Sequence, residues 1–189
     1  GEKKVIESAE MNSQLFTSAN ANFIGSDFDG MNFKLKRVRL EIKGNVWKNL
    51  SYHYRQSFNK YSDPYSLDNL SSSLELAYVN LKVHDKFGFT IGKQFVNFGG
   101  YEYFVNSIKV REFSEFNNLL TCYQAGISGN WQINPDHELC FQIVNNRSGQ
   151  DNEIYPTGLP DNTREAKVPF MYTVNWNSYY FDRILQLRY

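Results

Sequence analysis

The sequence lacks a long hydrophobic run. Nothing in its 189 residues approaches the roughly 18 apolar residues of a membrane helix, which excludes helical spans. A membrane β-barrel stays open, because each barrel strand carries only a weak apolar signal. Net charge is lacking too: 20 basic and 20 acidic side chains cancel, so the chain as a whole advertises neither a polyanionic partner nor an acidic substrate. The basic residues are dispersed and leave no nucleic-acid footprint. Cysteines are few, Cys122 and Cys140 only. A turn signal at residues 134–136 puts them several residues out of register on adjacent strands, beyond the roughly 7 Å Cα separation of a disulfide, so free thiols are expected. The five prolines all fall in loops, turns or the first residues of strands, as a sheet requires. The opening GEKKVIESAE has no apolar h-region, which suggests a mature chain without a signal peptide. The three histidines, His53, His84 and His137, show no metal-ligand spacing. No phosphate loop, nucleophile elbow or zinc motif is present. The expectation is therefore no enzyme, no metal and no cofactor.

What the sequence does have is aromatics, 16% of the chain with 13 Tyr and 15 Phe, under a negative mean hydropathy. That combination fits antiparallel strands with one apolar face and one solvated face. The pattern is clearest over residues 32–58, NFKLKRVRLEIKGNVWKNLSYHYRQSF. Val38, Leu40 and Ile42 share one parity there, and Arg37, Arg39, Glu41 and Lys43 share the other. After a turn at 44–49, Leu50, Tyr52 and Tyr54 alternate with Ser51, His53, Arg55 and Ser57. Period-two alternation sends each set to its own face of a strand.

Similar alternation runs through residues 15–23, 74–83, 87–94, 123–127, 139–143, 170–176 and 185–189, giving about nine strands. Residues 1–13 read as a polar leading segment and 14–189 as one β domain. Connections alternate between short ones, near Val46, Asp85, Asn134 and Asn177, and longer ones, near Ser26, Tyr61, Val105 and Tyr155. Outer-membrane barrels alternate in this way, whereas sandwiches mix their loop lengths. The fold class expected is all-β, an antiparallel meander. The aromatics Tyr52, Tyr54, Phe87, Phe89, Tyr123, Tyr172 and Trp176 sit near strand ends as an interfacial girdle would.

Four stretches carry a family resemblance: MNFKLKRVRLEIKGNVWKNLSYHYRQSF, LELAYVNLKVHDKFGFTIGKQFVNFGGYEYF, ELCFQIVNNRSG and PFMYTVNWNSYYFD. Together they resemble the phosphate-selective porin O and P family, and within it the Bacteroidetes branch. The resemblance runs from about Leu15 to Tyr189. It implies a trimeric outer-membrane barrel of about sixteen strands whose third outer loop folds inward as a constriction. The chain then corresponds to the N-terminal half of such a barrel, an incomplete wall. Its partners would be outer-membrane lipid and small hydrophilic solutes, its oligomer a homotrimer.

On this reading Arg37, Arg39, Lys43, His53 and Arg55 line the pore. The irregular segment 96–118 would supply the constriction with Tyr101, Glu102, Lys109, Arg111, Glu112 and Glu115. Its mixed charge suits a general solute pore at least as well as a phosphate-selective one. The competing reading is a soluble or periplasmic β-sandwich that binds glycans through exposed aromatics.

Overall fold

The computed structural model describes residues 7–60, 67–68, 70–99, 105, 110, 114–115, 122–147, 149, 155, 157–164 and 166–189. Nine strands follow one another in a single antiparallel sheet whose spatial order is the chain order. They are β1 (Ser8–Ile24), β2 (Asp27–Trp47), β3 (Leu50–Ser57), β4 (Leu74–His84), β5 (Phe87–Phe95), β6 (Tyr123–Asn134), β7 (His137–Asn145), β8 (Phe170–Tyr180) and β9 (Leu185–Arg188). The described strands make one sheet, not two facing ones, so the sandwich reading fails on architecture.

Register turns the sequence alternation into two continuous faces. One rung runs Tyr52, Val79, Ile91, Ile127, Ile143, Tyr172 across six strands. The next runs Leu50, Leu81, Phe89, Gly129, Phe141, Val174. Val79, Leu81, Ile91, Ile127, Phe141, Ile143, Tyr172 and Val174 on these rungs are exposed. Between them runs a polar rung on the opposite face: Ser51, Asn80, Thr90, Ser128, Gln142, Thr173. Hydrogen bonds lace that polar face, Thr90 Oγ1 to Asn80 Oδ1 at 2.7 Å and Gln142 Nε2 to Ser128 Oγ at 3.2 Å. Among the described residues the buried apolar side chains are only Leu76, Val96, Cys140 and Val144, while Arg39, Glu41, Arg55, Glu75, Lys93, Gln124 and Gln142 are buried polar ones. In a water-soluble domain the two groups would exchange places.

Two irregularities maintain this sorting. Val38 and Leu35 have opposite parity, yet the shift between Phe16↔Arg37 and Thr17↔Leu35 leaves Lys36 as an extra residue. That β-bulge keeps Leu35, Phe33 and Met31 on the face of Val38, Leu40 and Ile42. At Gly92 the chain takes φ = +124°, and a Cβ there would stand 2.2 Å from the Ala77 carbonyl oxygen. Its cross-strand partner Gly126 would place a Cβ 2.2 Å from the Ile143 carbonyl oxygen. Beyond this glycine pair the regular pattern ends: Lys93 is buried against Asp68 at 3.1 Å, and Phe95 and Tyr123 turn onto Arg55.

Several boundaries differ from those the alternation indicates. β1 begins at Ser8, because residues 8–14 continue the ladder with Asn45 back to Arg39. The connection at 25–30 reduces to a tight turn at Gly25–Ser26, since Asp27 already pairs with Ile24. The resulting β1–β2 ribbon projects past the last β2–β3 pair, Arg39↔Ser57. The turn placed at 44–49 narrows to 48–49, and β8 runs through Asn177–Ser178 to Tyr180. The turns at 48–49, 85–86, 135–136 and 181–184 share one end of the sheet with Trp47, Phe87, Trp131 and Trp176, a partly different aromatic set from the one expected, whereas the tight turn at Gly25–Ser26 lies at the other end. Cys122 and Cys140 form no disulfide, as the register argument expects.

A methyl group at Gly92 or Gly126 should destabilise the sheet by about 1–3 kcal/mol, because the obstacle is neighbouring backbone. Gly30, with open space around it, should accept alanine within about 0.5 kcal/mol. Urea unfolding in detergent of Gly92→Ala, Gly126→Ala and Gly30→Ala tests the ranking; equal midpoints would refute it.

Candidate functional site

The charged face concentrates on β2, β3 and β4. Arg39 lies opposite Ser57, Glu41 opposite Arg55, and Lys43 opposite His53, so the ladder brings these side chains to one side. Arg39 and Arg55 are buried there, Arg37 and His53 half-buried, and Lys43 exposed. The organising group is one that alternation alone would misplace. Between Arg55↔Leu76 and Gln56↔Leu74 the register slips, and Glu75 is the extra residue of the bulge. Its carboxylate accepts from Arg39 Nη2 at 3.1 Å and from Ser57 Oγ at 2.8 Å. Arg55 Nε stands 2.9 Å from it, and so does Lys60 Nζ.

Three cations converge on one fully buried carboxylate, so the cluster keeps an excess of positive charge. Tyr123 completes it: its hydroxyl accepts from Arg55 Nη2 at 2.8 Å. The Arg55 guanidinium also lies 5.2 Å from the Tyr123 ring centroid and 5.1 Å from that of Phe95. Tyr123 therefore belongs to the charged cluster and not to an aromatic girdle. Lys60 is the outermost member, its side chain 46% exposed. The buried Nη1 of Arg39 has no hydrogen-bond partner among the described residues.

A step toward the turn end, Glu41 pairs with His53, Oε1 to Nε2 at 2.6 Å, and His53 Nδ1 meets the Tyr78 hydroxyl at 2.8 Å. Lys43 pairs with Glu10 at 3.6 Å. Of the segment after β5, residues 96–99, 105, 110 and 114–115 are described. Asn97 donates its backbone N–H to Gln142 Oε1 at 3.0 Å, and its side-chain amide lies 3.0 Å from Cys140 Sγ, both groups on β7. Arg37 Nη1 reaches the Val110 carbonyl at 3.4 Å from β2. The segment is thus tied to both β2 and β7, strands well apart in the sheet. Glu115 is exposed; Tyr101, Glu102, Lys109, Arg111 and Glu112 lie outside the described residues. Among the described residues no group of His, Cys, Asp and Glu could hold a metal ion.

The alternation puts Arg37, Arg39, Lys43, His53 and Arg55 on one face, as the ladder does, but it does not point to Glu75 as their counter-ion. Glu75 shares parity with Ala77 and Val79, and only the register slip reveals where it points. Lys60 lies in a loop and has no alternation to read, and Tyr123, read as a girdle aromatic, turns instead onto Arg55.

One apolar face, an opposite face of polar and charged groups, and four tight turns at one end are the features the wall of a membrane β-barrel requires. The chain belongs to the phosphate-selective porin O and P family, whose profile matches residues 10–160. No curated protein and no solved structure matches it.

Glu75→Ala leaves Arg39 and Arg55 buried without their shared counter-ion and should destabilise the fold by about 3–5 kcal/mol. Lys60→Ala removes only a half-exposed partner and should cost about 1 kcal/mol or less. Heat-modifiable gel migration and urea unfolding would measure both; equal effects would show that Glu75 is not the hub.

Proposed function

We propose that the protein is an outer-membrane porin, a water-filled diffusion channel for small hydrophilic solutes, anions such as phosphate among them. The observation that carries this reading is the cation excess on the non-lipid face. Arg39, Arg55 and Lys60 surround one carboxylate, Glu75, with Arg37 on the same face of β2, on a sheet whose other face is apolar. In water a single cation attracts a monovalent anion by only about 1 kcal/mol at 4 Å. Arg39 and Arg55 are buried against Glu75, so the charge reaching water comes mainly through Arg37 and Lys60, and salt at physiological strength confines the effect to about 8 Å. That is suited to raising local anion concentration without trapping the ion. Lipid covers the apolar face, and the assembly is a homotrimer, as the family resemblance implies.

The segment after β5 acts as the constriction in this reading, with Tyr101, Glu102, Lys109, Arg111, Glu112 and Glu115 setting its mixed charge. Its ties to Gln142 and Cys140 on one side and to Arg37 on the other support an inward course. The mixed charge argues for broad anion preference over strict phosphate selection.

Planar-bilayer recordings test both parts. Deleting residues 101–113 should raise single-channel conductance; unchanged conductance would remove the segment from the constriction. Neutralising Arg39 or Arg55 would take a buried partner from Glu75 and disturb the fold, so the selectivity variants are Arg37→Gln and Lys60→Gln, nearer the water. Each should move the reversal potential in a salt gradient toward cation preference. A potential unmoved by both would overturn anion guidance by this cluster.

A further inference from the structure

We infer that His53, clamped between Glu41 and Tyr78, makes the ion preference of the pore depend on pH. The inference rests on the channel reading above. Both ring nitrogens are engaged: Nε2 with Glu41 Oε1 at 2.6 Å and Nδ1 with the Tyr78 hydroxyl at 2.8 Å. With the imidazole neutral, Nε2–H donates to the carboxylate and Nδ1 accepts from the phenol. With the imidazole protonated, Nε2–H still donates to Glu41, while Nδ1–H donates to a hydroxyl that has only to rotate. Neither state leaves a nitrogen unpaired, so His53 can take up a proton without rearrangement of the sheet. The change is one of charge alone.

The position makes that charge count. His53 lies on the same face as Arg55, two residues along β3, and so adds to the cation cluster. The charged and titratable groups facing it are Glu41 and Lys43 from β2, Tyr78 from β4 and Arg55 from β3 itself, with Glu10 of β1 behind Lys43. While the imidazole is neutral, the Glu41 carboxylate offsets one of these cations. Protonation of His53 cancels that carboxylate, and the wall gains a full positive charge. A proton and ions can reach the ring, because His53 and Tyr78 line an open cavity of about 440 Å³ together with Ser51, Asn80 and Lys43. Histidine is the ordinary side chain that gains charge on mild acidification, so the experiment scans that range.

The test is the reversal potential of the reconstituted protein in a potassium chloride gradient, stepped from pH 8 to pH 5. The unmodified protein should become more anion-preferring as pH falls. His53→Gln should flatten the response at the less anion-preferring level, and His53→Lys should flatten it at the more anion-preferring one. Opposite fixed levels separate a charge effect from mere loss of packing, which would move both variants alike. Channels whose preference is flat with pH, or a step that survives in His53→Gln, would overturn the inference while leaving the channel reading intact. Absence of any channel current at every pH would defeat the channel reading, and this inference with it.

Discussion

Everything in this sheet depends on parity. A strand has two faces, and a slip of one residue exchanges them completely. Here an exchange would put Arg39 and Arg55 into hydrocarbon, where a charged side chain costs about 2–4 kcal/mol at mid-depth, and would turn Ile91, Ile127 and Ile143 toward water. The long ladders leave little freedom to slip: β1 and β2 stay paired from Ser8↔Asn45 to Ile24↔Asp27. Where the sequence itself breaks parity, the backbone compensates. The bulge at Lys36 returns Leu35 and Phe33 to the apolar side, and the bulge at Glu75 brings a carboxylate to the guanidinium groups that need it.

That second bulge links fold to site. A carboxylate buried among Arg39, Arg55 and Lys60 holds long, flexible cations in defined places, and the cost of desolvating it is offset by four donors within about hydrogen-bonding distance. Fixed in this way, the cluster presents charge through Lys60 and Arg37 while Arg39 and Arg55 remain structural. Tyr123 and Phe95 wall it from the side, so the guanidinium of Arg55 is packed as well as paired.

The regular part of the fold could be read directly from residue order. Alternation such as Val38, Leu40, Ile42 against Arg39, Glu41, Lys43 identifies both strand and face, because a strand's period is locally encoded. The short turns near Asp85 and Asn134 were legible for the same reason. What could not be read was whatever depends on a neighbouring strand. Glu75 lies in a run that alternates cleanly, and its displacement is decided by pairing with Arg55 and Gln56. The length of β1 was hidden because Glu7, Ser8, Glu10, Asn12 and Gln14 make the stretch polar in sum, although Ala9, Met11 and Ser13 pair with Gly44, Ile42 and Leu40. Lys60 enters the cluster from a loop, where sequence carries no facial information.

The rung Ser51, Asn80, Thr90, Ser128, Gln142, Thr173 bears only hydroxyls and amides, whereas the cation cluster lies displaced from it toward the long connections. Charge on this wall is therefore graded along the strand direction instead of being spread evenly. The placement of one bulge thus decides which end of the strands carries the cation cluster, so the wall is electrostatically polarised along its length.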